Sequence, residues 1–462
     1  MDSQSFQAYL SDTHVSWLET GRPRPGAERG DGACLLVDVV GFTSITQSFA
    51  GEGARGAERL SEVLNDTIGR VVDLVDQHGG DVVTFAGDAI VAVWETDDRP
   101  LTEAVLLAAQ AAQAIHASPP HPEVPLRLRA SVGAGTLTSF EVGGVDGRWM
   151  LVTGGAPLSD MAAADRSCEA GEVMLTPAAW EVVAHRCVGS DRGPAGVLLE
   201  RIDVQVDTPG PRLLTRTDHD LRPYVPKVVG ARAHQGSFLA EFRRLTVLFV
   251  NLTGLDGSDT EALDVLHTAA VVCQQEVGRT DGAVYNFISD DKGTTFMATW
   301  GLPGSAHEDD AVRALSAAMG IRERLGIQSG VGLATGRMFC GSYGGRRRRH
   351  YTIIGPTINL AARLMLASDG DGVLCDGRTR AATGERAEFE ALEPIDAKGI
   401  AEPVPVHRPI RLLRRQHASG GERQHAGHLA RRLRRQHGGV HDGARVVAHA
   451  ATQQRGVRQA AG

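Results

Sequence analysis

Two aspartates that end predicted strands are the residues of this chain best suited to bind a metal ion. Asp38 follows the apolar run ACLLV, and Asp88 follows Gly87 in the segment DVVTFAGDAIVAVW. The second segment predicts two strands joined by a tight turn at residues 86–87. An aspartate at a strand end often only caps a turn, but if these strands are neighbours both carboxylates reach the same edge of the sheet. Carboxylate oxygens suit Mg²⁺ or Mn²⁺, so the pair predicts a metal site.

The segment that follows Asp38 is suited to binding phosphate. Residues 39–43 include Gly41, and a glycine lets a phosphate group approach the backbone closely. The backbone N–H groups of this segment can then donate to phosphate oxygens. We therefore expect Phe42 and Thr43 in the substrate-binding site.

The order of predicted elements in the first half of the chain recurs in the second half. RRLTVLFVNLTG matches the strand of Asp38, and AVYNFISDDKGTTFMATW matches the two strands around Asp88. Asp38 and Asn251 are equivalent, 213 positions apart, which indicates a duplicated domain. Asn251 and Thr294 stand where the first half has its two aspartates, and neutral side chains cannot balance divalent ions. The element order predicts an α+β fold, with helices on one face of a largely antiparallel sheet.

The second half carries a polar pair of its own. Asn359 and Arg363 lie four residues apart in PTINLAARLML, and a helix that begins near Pro356 puts both on one face. Such a pair alone usually marks a solvated face. Because it follows YTIIG in a duplicated domain, we interpret it as functional.

These motifs together resemble those of the class III adenylate and guanylate cyclases. DVVGFTS and FAGDA are similar to the two metal-aspartate motifs of that family, and the resemblance covers about residues 31–412. The chain looks most like the soluble, bicarbonate-responsive type of adenylyl cyclase and its bacterial relatives, which carry two unlike catalytic domains in tandem. The resemblance implies two ferredoxin-like (βαββαβ) catalytic domains that form an intramolecular pseudo-heterodimer.

The family resemblance also implies residue roles. Asp38 and Asp88 would bind two Mg²⁺ or Mn²⁺ ions, which activate the ribose 3′-hydroxyl of ATP and hold its triphosphate. Arg129, in LRLRASVGAG, falls where the family has a basic contact to the terminal phosphates, with a solvated strand residue as the equal alternative. Asn359 would position the ribose, and Arg363 would stabilise charge on the α-phosphate. The implied reaction converts ATP to 3′,5′-cyclic AMP and pyrophosphate.

Two further residues bear on which base is bound. Lys292, in SDDKG, and Thr352, in HYTIIG, match the adenine-reading positions of the soluble adenylyl cyclases. A lysine donates to N1 of adenine and a threonine hydroxyl accepts from N6, whereas guanine reverses both polarities. The pair favours ATP over GTP. A guanylate cyclase and a non-catalytic nucleotide-binding signalling module remain the alternatives.

The first half lacks the polar helical pair. Leu158 and Ala162 are aligned with Asn359 and Arg363, and Thr84 stands where the family usually has a lysine. The second composite pocket is therefore expected to be a degenerate, catalytically silent site, with one active site at the interface of the two domains.

The domain boundaries follow from the repeat and from composition. We predict an N-terminal segment over 1–30, a first cyclase homology domain over 31–215, a linker over 216–242 and a second domain over 243–412. Residues 413–462 are rich in Arg, His and Gly and are predicted to be disordered. This tail either binds nucleic acid or acidic lipid or has no evolved function; we favour the second, because a shifted reading frame in a GC-rich gene gives such a composition.

Overall charge and composition limit the classes of partner. The net charge is −8, and the arginine-rich end makes the rest of the chain more acidic still, which argues against general nucleic-acid binding. Without an apolar run of 18 residues or a signal sequence, we expect no membrane span. The six scattered cysteines predict core thiols in a reduced, cytoplasmic protein. Both halves lie in one chain, so a homodimer is not required for activity.

Overall fold

A computed structural model describes residues 6–87, 89–96, 99–119, 121–233, 240–252, 262–290, 293–368, 370–396 and 402–413. These ranges belong to one compact unit, Met1–Leu413. Asp88 and Lys292 lie outside the described residues, and so does the predicted tail apart from Leu413.

The described elements are strands and helices in two similar successions. The strands are β1 (Gly26–Val40), β2 (Asp81–Ala86), β3 (Ala89–Glu95), β4 (Arg127–Val145), β5 (Arg148–Gly154), β6 (Val173–Leu175), β7 (Cys187–Asp191), β8 (Val197–Ile202), β9 (Glu241–Leu252), β10 (Ala283–Asp290), β11 (Gly293–Trp300), β12 (Ser329–Gly344), β13 (Arg349–Ile354), β14 (Asp371–Asp376), β15 (Ala387–Ile395) and β16 (Val404–Leu412). The helices are α1 (Asp12–Glu19), α2 (Phe42–Ala50), α3 (Ala54–Gln77), α4 (Leu101–Ala117), α5 (Ala156–Asp165), α6 (Pro177–Val183), α7 (Lys227–Ala233), α8 (Leu263–Arg279), α9 (Asp310–Leu325), α10 (Pro356–Ala367) and α11 (Gly377–Thr383).

Two sheets with the same strand order confirm the duplication. The first sheet has the order β2-β3-β1-β4-β6-β8-β7, with β5 paired to β4, and the second has the order β10-β11-β9-β12-β14-β16-β15, with β13 paired to β12. The pairs β4–β6 and β12–β14 are parallel, and the other pairs of the central strands are antiparallel. The predicted α+β fold with two ferredoxin-like halves is confirmed.

Long helices cover one face of each sheet because their apolar residues recur every three or four positions. In α3, the buried set includes Leu60, Leu64, Ile68, Val71 and Val75. These residues form one core with β1–β4 and α4, and burying each of them contributes about 1.5–3 kcal/mol. Helices α8 and α9 cover the second sheet in the same way.

Each half completes the apolar core of the other with a β-hairpin. The β4–β5 hairpin of the first half contributes Phe140, Val142 and Val152 to the core of the second half. The β12–β13 hairpin of the second half contributes Phe339 and Tyr343 to the core of the first half. The interface between the halves is therefore part of the folded core.

Two arginines at equivalent positions fix these exchanged hairpins. Arg148 is the first residue of β5, and Arg348 directly precedes β13. Arg148 Nη2 donates to the carbonyl of Val284 at 3.0 Å, and Arg348 Nε donates to the carbonyl of Val82 at 2.9 Å. Burial lowers the pKa of both guanidinium groups to about 10, so both remain charged at neutral pH.

The N-terminal segment and the connection between the halves pack on the second sheet. Phe6, Leu10 and Val15 share an apolar cluster with Leu221 and Val229 of the connection, and with residues of β9, β12 and α10. Among the described helices, none has both the length and the apolarity that crossing a membrane requires. All six cysteines are buried and unpaired, as predicted.

Candidate active site

Strand register places Asp38 beside the turn that carries Asp88. In β1, Asp38 is the cross-strand partner of Ala89 in β3 and of Arg129 in β4. Ala89 is the residue after Asp88, and its partner in β2 is Ala86. The prediction that these two strand ends meet at one edge of the sheet is therefore confirmed for the residues that flank Asp88, which itself lies outside the described residues.

Asp38 is held by Arg129. Its side chain is 16% exposed, and its Oδ2 accepts hydrogen bonds from Arg129 Nε at 3.0 Å and from Arg129 Nη2 at 2.7 Å. Burial raises the pKa of Asp38, and the neighbouring guanidinium opposes that rise. The family resemblance implied either a phosphate contact or a solvated strand position for Arg129. In this arrangement Arg129 neutralises a predicted metal ligand.

A second carboxylate, Asp165, shares the same guanidinium. Arg129 Nη2 lies 2.7 Å from Asp165 Oδ2. Burial and the charge of Asp38 raise the pKa of Asp165 to about 6. Sequence reasoning missed this residue, because its only sequence signal is an acidic residue at the end of MAAAD, in the helix that had lost the polar pair.

The charge of this cluster suits a divalent cation bound by Asp38. Asp38 and Asp165 bring two negative charges to one guanidinium, so the cluster has an excess negative charge, and carboxylate oxygens are the ligands that Mg²⁺ and Mn²⁺ prefer. Within the described part of the chain, no group of three His, Cys, Asp or Glu side chains could hold a metal ion. The predicted two-ion site thus needs the carboxylate of Asp88 as well.

The predicted phosphate-binding segment is the start of helix α2. Gly41 precedes this helix with φ 74° and ψ 18°, a left-handed conformation that favours glycine, and among the described residues no side chain caps the helix. The first backbone N–H groups of the helix lack intrahelical acceptors, so they can bind an anion. The side chain of Phe42 is buried in the core, which leaves its backbone for that role; the side chain of Thr43 lies outside the described part.

The second half has neutral residues at the positions of the charged cluster. Asn251 in β9 pairs with Thr295 and with Gly330, as Asp38 pairs with Ala89 and Arg129. Thr294, which precedes Thr295, is therefore the counterpart of Asp88. This register supports the alignment made from the sequence.

Helix α10 carries the predicted polar pair. It begins after Gly355 and buries Leu360, Ala361 and Leu364, while Asn359 is exposed and Arg363 is half-buried. Both polar residues thus lie outside the apolar face, as predicted from their spacing.

The equivalent helix of the first half shifts the sequence alignment by one residue. Helix α5 begins after Gly155, as α10 begins after Gly355. Counted from these glycines, Ser159 and Ala163 occupy the positions of Asn359 and Arg363. The alignment with Leu158 and Ala162 was wrong because it did not take account of the helix start, but neither pair supplies a cation.

Thr352 lies in β13, beneath the surface. It is completely buried, and Tyr285 Oη donates to its hydroxyl oxygen at 3.1 Å while accepting from the backbone N–H of Ile353 at 3.0 Å. The register of β10 shifts between Val284 and Asn286, so Tyr285 is a bulge residue that turns toward β13. Sequence reasoning missed Tyr285, and Lys292, in the turn after β10, lies outside the described residues.

The hairpin of the second half reaches the metal turn of the first half. Tyr343 Oη donates to the carbonyl of Gly87 at 3.2 Å, one residue before Asp88. Phe85 packs edge-on against Tyr343 and stacks on His350, with ring centroids 5.5 and 5.1 Å apart. The strand that leads into α10 therefore lies against the strand that leads to Asp88.

Comparison with known proteins shows similarity to adenylate cyclases. Rat adenylate cyclase type 10 is 28% identical over 455 residues, which cover 88% of this chain and 28% of the relative. The human protein of that name is 27% identical over 432 residues, which cover 83% of this chain and 27% of the human protein. A solved class III adenylyl cyclase-like ATP-binding protein from Pseudomonas aeruginosa matches with a TM-score of 0.58 and 14% identity, over 78% of this chain and 86% of that one.

The chain is therefore similar in sequence to adenylate cyclase type 10, and it shares its fold with the class III adenylyl cyclase-like protein. The family resemblance predicted from the motifs is thereby confirmed. The chain spans 28% of the length of its rat relative, so the activity of the whole relative is not transferred by similarity alone. No protein-family model matches the chain.

Proposed function

We propose that this class III cyclase homologue is an adenylate cyclase, which converts ATP to 3′,5′-cyclic AMP and pyrophosphate at one site between its two halves. The observation that carries the proposal is the contact of Tyr343 with Gly87. It joins the turn that carries a metal aspartate in one half to the hairpin that leads into the Asn359 and Arg363 helix of the other. The first half lacks the helix with Asn359 and Arg363, and the second half lacks the metal aspartates.

The reacting end of ATP meets both halves. Asp38 and Asp88 would hold two Mg²⁺ or Mn²⁺ ions, which would lower the pKa of the 3′-hydroxyl and neutralise phosphate charge. Asn359 orients the ribose for in-line attack on the α-phosphorus. Arg363 stabilises the charge that develops on the α-phosphate, because its planar fork matches phosphate oxygens and stays charged. Positioning and electrostatics then supply most of the rate, as in other phosphoryl transfers.

The triphosphate and the base bind on either side of the reacting atoms. The terminal phosphates contact Arg129 and the backbone N–H groups at the start of α2, including those of Phe42 and Thr43. Lys292 donates to N1 of adenine. The hydroxyl oxygen of Thr352 has a lone pair beyond the one used by Tyr285, and this lone pair accepts from the N6 amine.

The second interface pocket is a degenerate site without catalysis. It combines Asn251 and Thr294 of the second half with Ser159 and Ala163 of the first. These neutral side chains cannot balance the charge of two divalent ions, and none of them can stabilise a transition state as Arg363 does. One chain therefore suffices for one active site, and a homodimer is not required. We place the protein in the cytoplasm, since its six unpaired, buried cysteines fit a reducing compartment.

Nucleotide binding without turnover is the second candidate. Two observations favour it: Thr352 is completely buried, and Arg129 already occupies an oxygen of Asp38. The similar protein from Pseudomonas aeruginosa is described as adenylyl cyclase-like and ATP-binding. A guanylate cyclase is the third candidate, which the donor–acceptor polarity of Lys292 and Thr352 opposes.

One assay separates the three candidates. The full chain is incubated with ATP or GTP and Mn²⁺, and the cyclic product is identified by mass spectrometry. Cyclic AMP from ATP, abolished in Asp38→Ala and kept in the matched second-half variant Asn251→Ala, supports the proposal. Cyclic GMP alone would identify a guanylate cyclase. Nucleotide binding without either product, in a folded sample, would leave only the binding module.

A further inference from the structure

The guanidinium group of Arg129 is held from two sides. On one side Nε and Nη2 donate to Asp38 Oδ2 at 3.0 and 2.7 Å. On the other side Nη2 lies 2.7 Å from Asp165 Oδ2, and Nη1 donates to the carbonyl of Cys168 at 3.4 Å. The side chain of Arg129 is still 26% exposed, so a ligand can reach it.

The helix that carries Asp165 does not need a carboxylate at this position. Asp165 is the last residue of α5, where the helix dipole disfavours a negative charge. Its side chain is 12% exposed, and among the described residues its Oδ1 has no hydrogen-bond partner. A carboxylate in such surroundings costs stability, which indicates a role other than folding.

The second half offers an internal comparison for the arginine. Asn251 lies opposite Gly330 in the second sheet, at the place where Asp38 lies opposite Arg129 in the first. The half without the metal carboxylate therefore also lacks the arginine.

The same comparison holds for the second carboxylate. Counted from Gly155 and Gly355, which precede α5 and α10, Asp165 corresponds to Met365. All three charged residues of the cluster are thus absent from the second half, although its strands and its helix are kept. Residues that are present together in one half and absent together from the other are expected to act as a unit.

We propose that Asp165 is a positioning residue that holds Arg129 where it contacts the terminal phosphates of ATP. The inference rests on the proposed function, in which Asp38 is a metal ligand. A carboxylate that ligates a divalent ion gives up part of its interaction with a neighbouring guanidinium. Asp165 and the Cys168 carbonyl then remain as the fixed partners of Arg129. Because an arginine–carboxylate pair fixes the plane of the guanidinium, the remaining N–H groups stay directed at the triphosphate.

The kinetic test compares Asp165→Asn and Asp165→Glu with the wild-type full chain. With ATP and Mn²⁺, Asp165→Asn is expected to raise KM about tenfold, the effect of one weakened charge-assisted hydrogen bond, and to change kcat less than about threefold. Asp165→Glu keeps the charge and is expected to bring KM back to within about threefold of the wild-type value.

The binding test uses nucleotides that cannot react. By titration calorimetry, Asp165→Asn is expected to bind 3′-deoxy-ATP about tenfold more weakly, and to bind AMP, which lacks the terminal phosphates, with unchanged affinity. In an Arg129→Ala background, Asp165→Asn is expected to have no further effect, because its partner is gone. Glu276→Gln is the matched control, since Glu276 is a buried carboxylate bonded to two arginines of the second half. It should leave both affinities unchanged.

The outcomes separate this inference from the proposed function. An unchanged 3′-deoxy-ATP affinity in folded Asp165→Asn overturns the inference, and so does an equal loss of AMP affinity or a persistent effect in the Arg129→Ala background. If the wild-type chain binds 3′-deoxy-ATP but makes no cyclic AMP, the proposed function fails while the binding test of Asp165 still stands. If the wild-type chain does not bind 3′-deoxy-ATP, both fail. Should Asp165→Asn not fold, Asp165→Ser removes the same charge and carries the same expectation.

Discussion

Replacing Asp165 by Asn is expected to stabilise the chain at neutral pH, although the same change should weaken ATP binding. Burial and the charge of Asp38 raise the pKa of Asp165 from 3.8 to about 6. Between these two values the folded chain keeps a proton on Asp165 that the unfolded chain has released. The contribution of Asp165 to the free energy of unfolding therefore falls as the pH rises from about 4 to about 6. Above that range the contribution is constant.

The size of the effect follows from the two pKa values. A difference of about two pH units corresponds to at most about 3 kcal/mol, at about 1.36 kcal/mol for each unit. The side chain is 12% exposed, so solvent screens part of the interaction. We expect Asp165→Asn to raise the free energy of unfolding by about 2 kcal/mol at pH 7, with about 1 kcal/mol of this gain developing between pH 5 and pH 7. Urea unfolding in EDTA at pH 5, 6, 7 and 8 measures it.

Glu276 provides a control in which the pKa shift has the opposite sign. Burial raises its pKa, but the hydrogen bonds from Arg279 at 2.6 Å and Arg324 at 2.7 Å outweigh burial, so the net pKa is lowered. Its ionised form stabilises the fold above the unfolded pKa, and this stability is lost as the pH falls through the folded pKa. Glu276→Gln should therefore be less stable than wild type at pH 7. The reasoning is refuted if Asp165→Asn is also less stable at pH 7, or if its difference from wild type is the same at pH 5 and pH 7.

Two further predictions use pairs of equivalent or contrasting positions. Arg363→Ala is expected to lower kcat for cyclic AMP formation by about 100-fold or more. Ala163→Val, at the equivalent position of the first half, should change kcat less than about twofold. Similar losses of kcat in both variants would contradict the assignment of a single active site. Gly332→Ala is expected to destabilise the chain by about 3 kcal/mol, because a Cβ there would overlap the backbone of α10. Gly278→Ala, in α8 with open space around it, should stabilise by up to about 1 kcal/mol, and thermal unfolding distinguishes the two signs.

Local patterns in the sequence were sufficient for several elements of the fold and site. The helix predicted to begin near Pro356 is α10, Pro356–Ala367. The apolar run that ends at Asp38 is the central strand β1, and the duplicated element order gives two sheets of the same topology. The i, i+4 spacing placed Asn359 and Arg363 outside the buried face of α10. These features depend on residues close together in the chain, so periodicity and turn residues determine them.

Features that depend on distant pairing were not predictable from the sequence. Strand β1 begins at Gly26, inside a Pro- and Gly-rich stretch that looks like a linker, because it pairs with the far end of β4 as far as Glu141. The position of Asp165 beside Arg129 depends on where α5 begins relative to β4. The bulge at Tyr285 depends on the register between β10 and β11. In each case the local structure depends on a contact between residues far apart in the sequence, so local composition does not determine it.

The internal duplication separates the residues that fold the chain from those assigned to chemistry. The charged residues that differ between the halves, such as Asp38 and Arg363, lie at a strand end and outside the buried face of a helix. The exchanged hairpins, in contrast, place apolar residues in the core of the opposite half: Phe140 lies in the core of the second half and Phe339 in the core of the first. Because the shared cores do not contain the charged residues, either half can lack some of them and keep its fold. Because each hairpin completes the core of the other half, neither half is expected to fold alone, and the complementary residues remain together in one molecule.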